Sequence, residues 1–126
     1  MPLYMSQISY TNEALKALVK HPQDRGAVFR EQVEKLGGRV IAFYHCMGKY
    51  DVVTIYEVPD EATASALILT VKAPGHLKEV ETTELHTVEV AVEGMRKANK
   101  QSYQGPDRWR DAFSSLADVP PARPSE

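Results

Sequence analysis

Cysteine is almost missing from this chain. One thiol, Cys46, among 126 residues excludes an internal disulfide and a cysteine-built zinc site. An excess of either charge is missing too. Fifteen Lys and Arg against 17 Asp and Glu leave a formal net charge of −2, without the basic field that non-specific nucleic-acid binders carry. No apolar run approaches the ~18 residues of a membrane span. The start, Met1-Pro2-Leu3-Tyr4, lacks the charged and apolar regions of a signal peptide. The expectation is a cytoplasmic protein with no nucleic-acid and no membrane partner. Motifs of common chemistries are absent as well: no Walker loop, no Gly-x-Gly-x-x-Gly, no serine nucleophile elbow. No histidine pair or Glu-His pair stands at metal-binding helical spacing. No cofactor and no bound metal are therefore expected.

What is present is an ordinary globular composition, 43% hydrophobic and 25% charged, in a length of about one domain. Leu3 to Tyr10 reads as a strand. Thr11 reads as a helix N-cap, its hydroxyl free to accept an amide of the first turn. Leu15, Leu18 and Val19 follow at helical spacing. Pro22 interrupts and suits a first helical position, so a first helix to about Lys20 and a second from Pro22 to Leu36 are expected, stopped by Gly37-Gly38. Arg39 to Met47 and Tyr50 to Val58 are β-rich, with Gly48-Lys49 as a two-residue type II′ turn. Asp60 caps a helix to about Lys72. Leu77 to Thr87 is a fourth strand, and the pattern turns helical from about Glu89 to Gln101. The order β-α-β-β-α-β is that of the ferredoxin-like split βαβ unit. The expected fold class is α+β: a four-stranded antiparallel sheet with both main helices on one face. The expected divisions are a domain over 1–90, a helical extension over 91–118 and a disordered tail over 119–126. Within the extension, Trp109 and Phe113 form one apolar stripe of a short docking helix or lid.

A two-residue turn fixes register. It pairs Cys46 with Asp51, His45 with Val52 and Tyr44 with Val53. Ile41, Phe43, His45, Met47, Tyr50, Val52, Thr54 and Tyr56 then share one face, and Val40, Ala42, Tyr44, Cys46, Asp51, Val53, Ile55 and Glu57 the other. Both faces are largely apolar, although a sheet with helices on one side should be polar on the other. The second face needs a cover, and a second copy of the same sheet is the economical one. The expected partner is therefore the chain itself, as a homodimer or higher homo-oligomer.

Pro2-Leu3-Tyr4, Tyr10-Thr11, Leu36-Gly37-Gly38, the hairpin Gly48-Lys49-Tyr50-Asp51 and Glu57-Val58-Pro59-Asp60 together resemble the GYD-domain family. The resemblance covers about residues 1–90 and implies a ferredoxin-like subunit of the dimeric α+β-barrel group. It brings no established activity. Relatives in that group include cofactor-free monooxygenases, lactone isomerases, haem-dependent enzymes and ligand-sensing regulator modules with a similar hairpin near the effector pocket. Fold alone does not choose among them. Two features depart from the usual family pattern: His45-Cys46, and the tail after about Lys100.

Tyr50 and Asp51 place a phenol and a carboxylate together at a hairpin tip, where they orient a substrate or supply a base; the competing reading is turn structure. His45 is the best acid–base candidate by residue type, against a packing role. Cys46 points to the opposite face from His45 and reads as a small buried hydrophobe. Glu84 and His86 share a strand face, which starts but does not complete a metal site. The expected catalytic residues are His45, Tyr50 and Asp51, and the expected ligand-binding residues are Tyr44, His45, Tyr50, Asp51 and His86. The expected function is binding of a small organic molecule in a cleft between sheet and helices. Cofactor-independent proton transfer or oxygenation is the chemistry such a cleft supports. The alternative is a non-catalytic sensing or assembly module using the Gly48–Asp51 hairpin at subunit contacts.

Overall fold

The computed structural model describes residues 1–106. The stripe of Trp109 and Phe113 and the tail over 119–126 lie outside the described residues. The chain divides into two units, Met1–Thr87 and Val88–Glu126.

The first unit begins with β1 (Leu3–Tyr10) and α1 (Asn12–Lys20), where the Thr11 hydroxyl accepts from the Ala14 amide as its sequence position predicts. Such a cap is worth ~1 kcal/mol. The next helix, α2, spans Arg25–Lys35 and starts later than Pro22, because Asp24 accepts from the Ala27 amide at 2.9 Å and sets the N-terminus. It ends on Gly37, whose φ of +84° is left-handed, a conformation glycine adopts without steric cost. Then come β2 (Arg39–His45), β3 (Val52–Glu57), α3 (Glu61–Lys72) and β4 (Leu77–Leu85). Asp60 caps α3, and bonds from the Thr63 hydroxyl and amide hold its carboxyl below the usual range. Gly75, with φ of +85°, turns the chain into β4.

The sheet is antiparallel throughout, in the order β2-β3-β1-β4. The unit is thus α+β and ferredoxin-like. One sheet face carries Tyr4, Ser6 and Ile8 of β1 and Val52, Thr54 and Tyr56 of β3, all buried. Phe29 and Val33 of α2 and Ala64 and Leu67 of α3 pack on it. Phe29 meets Tyr56 edge-on at 5.6 Å, and Tyr4 stacks with Tyr56 at 6.0 Å. Polar groups within this core are paired: Ser6 Oγ lies 2.8 Å from both the Tyr56 hydroxyl and Thr82 Oγ1, and Thr54 Oγ1 donates to the Ala42 carbonyl at 2.8 Å. On the other face Leu3, Met5, Val53 and Ile55 are half-buried, while Tyr44 is exposed.

Register follows the expectation only in part. His45, Tyr44, Phe43 and Ala42 pair with Val52, Val53, Thr54 and Ile55. A bulge at Ile41 then shifts Val40 opposite Tyr56, so Val40 joins the helix-facing side and packs on the core. An inserted residue reverses every face assignment beyond it. The hairpin loop also differs. The strands stop at His45 and resume at Val52, and Gly48 has no positive φ, which excludes a type II′ turn with Gly48 first. Residues 46–51 form a wider loop closed by the Cys46 amide on the Asp51 carbonyl at 2.8 Å.

In the second unit, α4 spans Val88–Asn99, with Glu89 in its first turn and Arg96 and Lys97 in its last, the charge order that the helix dipole favours. Among the described residues, no helix is long and apolar enough to cross a membrane.

Candidate functional site

The hairpin tip is held by β1. The Asp51 amide donates to the Ile8 carbonyl at 2.7 Å, and the Asp51 carboxylate accepts the Tyr10 amide at 2.8 Å. That second bond carries the contact with β1 one step past the last β1–β3 ladder pair, Ile8 opposite Val52. Ser9 Oγ also reaches the Lys49 carbonyl, at 3.4 Å. The Tyr50 hydroxyl donates to Glu81 Oε1 of β4 at 2.8 Å, with Lys49 Nζ 5.5 Å above the Tyr50 ring. This bond to a carboxylate raises the Tyr50 pKa above its ordinary 10.0, with desolvation and the Glu81 and Glu79 charges adding to it. Tyr50 and Asp51 therefore serve as ties between the loop and neighbouring strands.

The remaining expected site residues are scattered. His45 is exposed at the end of β2 and meets Phe43 edge-on at 5.9 Å. Tyr44 points to the other sheet face, 67% exposed. His86 follows β4 at the far end of the sheet from the hairpin, its Nε2 3.7 Å from Glu84 Oε2. The expected grouping of Tyr44, His45, Tyr50, Asp51 and His86 does not form a common pocket. Cys46 is a free, half-buried thiol. Among the described residues, no group of three His, Cys, Asp or Glu is placed to hold a metal ion.

A cleft does lie between sheet and helices, with a volume of about 220 Å³. Its floor is Ile8, Phe43 and Val52 of the sheet, and its walls are Val28 and Phe29 of α2 and Val71 of α3. Gly26 brings the start of α2 close to this floor: a Cβ there would meet Phe43 Cδ1 at 3.0 Å. Polar groups converge from separate elements: Tyr10 at the end of β1, Arg25 and Gln32 on α2, and His76 just before β4. The Thr11 amide donates to the His76 carbonyl at 3.0 Å, which fixes β1 and β4 together at this end. Burial raises the Tyr10 pKa; the Arg25 guanidinium opposes that shift and the Asp51 carboxylate reinforces it.

Sequence reasoning named none of Tyr10, Arg25, Gln32 and His76 as site residues. They are far apart in sequence and share no motif. The single local signal is Tyr10 at a strand end beside the Thr11 cap. An apolar trough with a few converging polar groups is the general form of a small-molecule site, and this arrangement can bury an apolar body while holding a polar end.

Comparison with known proteins gives three findings. The family model for the GYD domain matches residues 4–95. A protein of Thermus thermophilus named glutamine synthetase and cystathionine beta-lyase binding protein is 32% identical over 91 residues, which cover 72% of this chain and 93% of that protein. Among solved structures, a crystal structure of an antibiotic biosynthesis monooxygenase is 20% identical, with a TM-score of 0.38, covering 70% of this chain and 99% of that one.

Proposed function

The chain belongs to the GYD-domain family, and on that premise we propose that it is a binding protein whose ligand is a small organic molecule held in the cleft between sheet and helices α2 and α3. The cleft itself carries this reading: its apolar walls are met by polar side chains from four separate places in the chain, Tyr10, Arg25, Gln32 and His76. Any turnover there falls to groups that face the cleft. His76 lines it and His45 does not, so His76 replaces His45 as the acid–base candidate. The test is native mass spectrometry of the purified protein, alone and with a panel of small metabolites. The expected result is a small-molecule adduct that Val28→Trp, which fills the mouth, removes. Adducts that survive Val28→Trp, or none with any compound, would count against the cleft.

The working unit is a homodimer joined through the sheet face that carries Leu3, Met5, Val53 and Ile55. Support comes from the alternation of these apolar, half-buried residues with the core residues of the same strands, and from Tyr44, a large side chain 67% exposed on that face.

A second reading is favoured by the Thermus relative, whose name describes binding to two metabolic enzymes. In this reading the hairpin tip is the docking element. Met47 is fully exposed there, the exposed Gly48 and Lys49 follow it, and the loop is anchored by Asp51. Co-elution of the purified chain with purified glutamine synthetase or cystathionine beta-lyase of its own host, lost in Met47→Asp, is the expected result. Separate elution of all components would remove this reading.

A further inference from the structure

Size and charge narrow what the cleft accepts. Its volume of about 220 Å³ is below the ~300 Å³ at which sites for drug-sized molecules begin. It exceeds the ~150 Å³ in which an apolar cavity holds benzene. A single ring with a short arm matches that space. Phe29 and Phe43 stand in it as a tilted pair with centroids 5.9 Å apart, and such faces and edges suit an aromatic guest. At the rim the charge is one-sided. Arg25 is half-buried, and its guanidinium donates to the neutral Gln23 Oε1 at 2.8 Å. Among the described residues no carboxylate forms an ion pair with it. No Asp or Glu lines the cleft, and the carboxylates beside Arg25 in the chain and beside Tyr10 are engaged elsewhere: Asp24 caps α2 at the Ala27 amide, and Asp51 holds the Tyr10 amide. A guanidinium left without an anion at the mouth of an apolar trough is a fork for a carboxylate.

We propose that the cleft takes a single-ring organic acid, with its ring between Phe29, Phe43 and Val71 and its carboxylate on the Arg25 guanidinium. This rests on the cleft being the ligand site. Gln32 and the Tyr10 hydroxyl supply further hydrogen-bonding groups along the wall, and the acid displaces no existing ion pair of Arg25.

Phenylacetate and its neutral isostere phenylacetamide are the probes, titrated into the full chain and followed by backbone amide NMR. Phenylacetate is expected to shift the amides of Phe29, Phe43 and Val52 saturably at millimolar concentration, and phenylacetamide to bind about tenfold more weakly, the loss of one charge-assisted bond. Arg25→Gln is expected to weaken phenylacetate by about the same factor and leave phenylacetamide unchanged, while Arg25→Lys retains part of the difference. Equal affinity for acid and amide, unmoved by Arg25→Gln, would overturn the acid preference and leave the cleft as a site for neutral molecules. No shift at these amides with either compound would overturn both the acid preference and the cleft reading. Shifts that persist in Val28→Trp would place the probe elsewhere and overturn the proposal.

Discussion

Asp51 is the residue at which a chemical role and a structural role compete. Its carboxylate is spent on the Tyr10 amide at 2.8 Å and its own amide on the Ile8 carbonyl. A hydrogen bond to a charged group contributes ~1.5–3 kcal/mol, so Asp51→Ala is expected to lower stability by about that amount. A urea titration of the unfolding transition measures it. If Asp51→Ala kept the wild-type midpoint, the tie would be energetically idle and a functional role would regain ground. Arg25 is the opposite case: its loss is expected to leave the urea midpoint within ~0.5 kcal/mol, as for other surface changes, and to be felt by ligands instead. Residue type at a hairpin tip left both readings of Asp51 open, catalytic and turn-forming, whereas nothing in the sequence around Arg25 singles that position out.

At the scale of elements, the join between α2 and β2 is the tightest constraint. Gly37 needs its positive φ, whereas a Cβ on Gly38 would stand 2.3 Å from the Glu57 carbonyl oxygen and 2.9 Å from Val58 Cγ1. Backbone cannot swing aside as a side-chain end can. Gly37→Ala is expected to cost ~1 kcal/mol, and Gly38→Ala clearly more, because β2 must move off β3 to admit the methyl. Thermal unfolding of the two variants checks the ranking, and the reverse order would contradict the close approach. In α3, Leu67 has no exposure, and Leu67→Ala is expected to cost ~2–5 kcal/mol. The helix caps at Thr11 and Asp60 and the glycine stop at Gly37 were legible in sequence because they are local chemistry. The bulge at Ile41 was not, because nothing local distinguishes Val40-Ile41-Ala42 from a regular strand. Only the fit of Val40 against the core does.

For the whole molecule, the tyrosines set an alkaline limit. Burial raises Tyr10 and Tyr56 above 10.0, and the bond to Glu81 raises Tyr50. The folded chain thus keeps protons that the unfolded chain releases near pH ~10. Their stabilising contribution is whole below that pH and is lost as pH rises through the folded-state values. Stability is expected to fall steeply above pH ~10, and Tyr56→Phe to flatten that fall. An unchanged slope in Tyr56→Phe would mean that Tyr56 does not contribute. For the homodimer proposed above, light scattering is expected to give a mass of two subunits, and paired Tyr44→Lys and Ile55→Lys changes to halve it. A wild-type mass of one subunit would end that reading.

The sequence by itself determined the element order, the caps and stops, the family and the expectation of a cleft on the helix-covered face. These follow from short-range rules: apolar periodicity, side chains that cap, glycines where the backbone turns left-handed. Only the tertiary structure decided which residues line the cleft. Tyr10, Arg25, Gln32, Phe43 and His76 meet because antiparallel pairing sets the end of β1 beside the start of β4, and because Gly26 lets α2 lie close to Phe43. The same pairing bound Asp51 to Tyr10 and Tyr50 to Glu81. Hydrogen-bond partners far apart in the chain are chosen by register, and register depends on packing over the whole sheet.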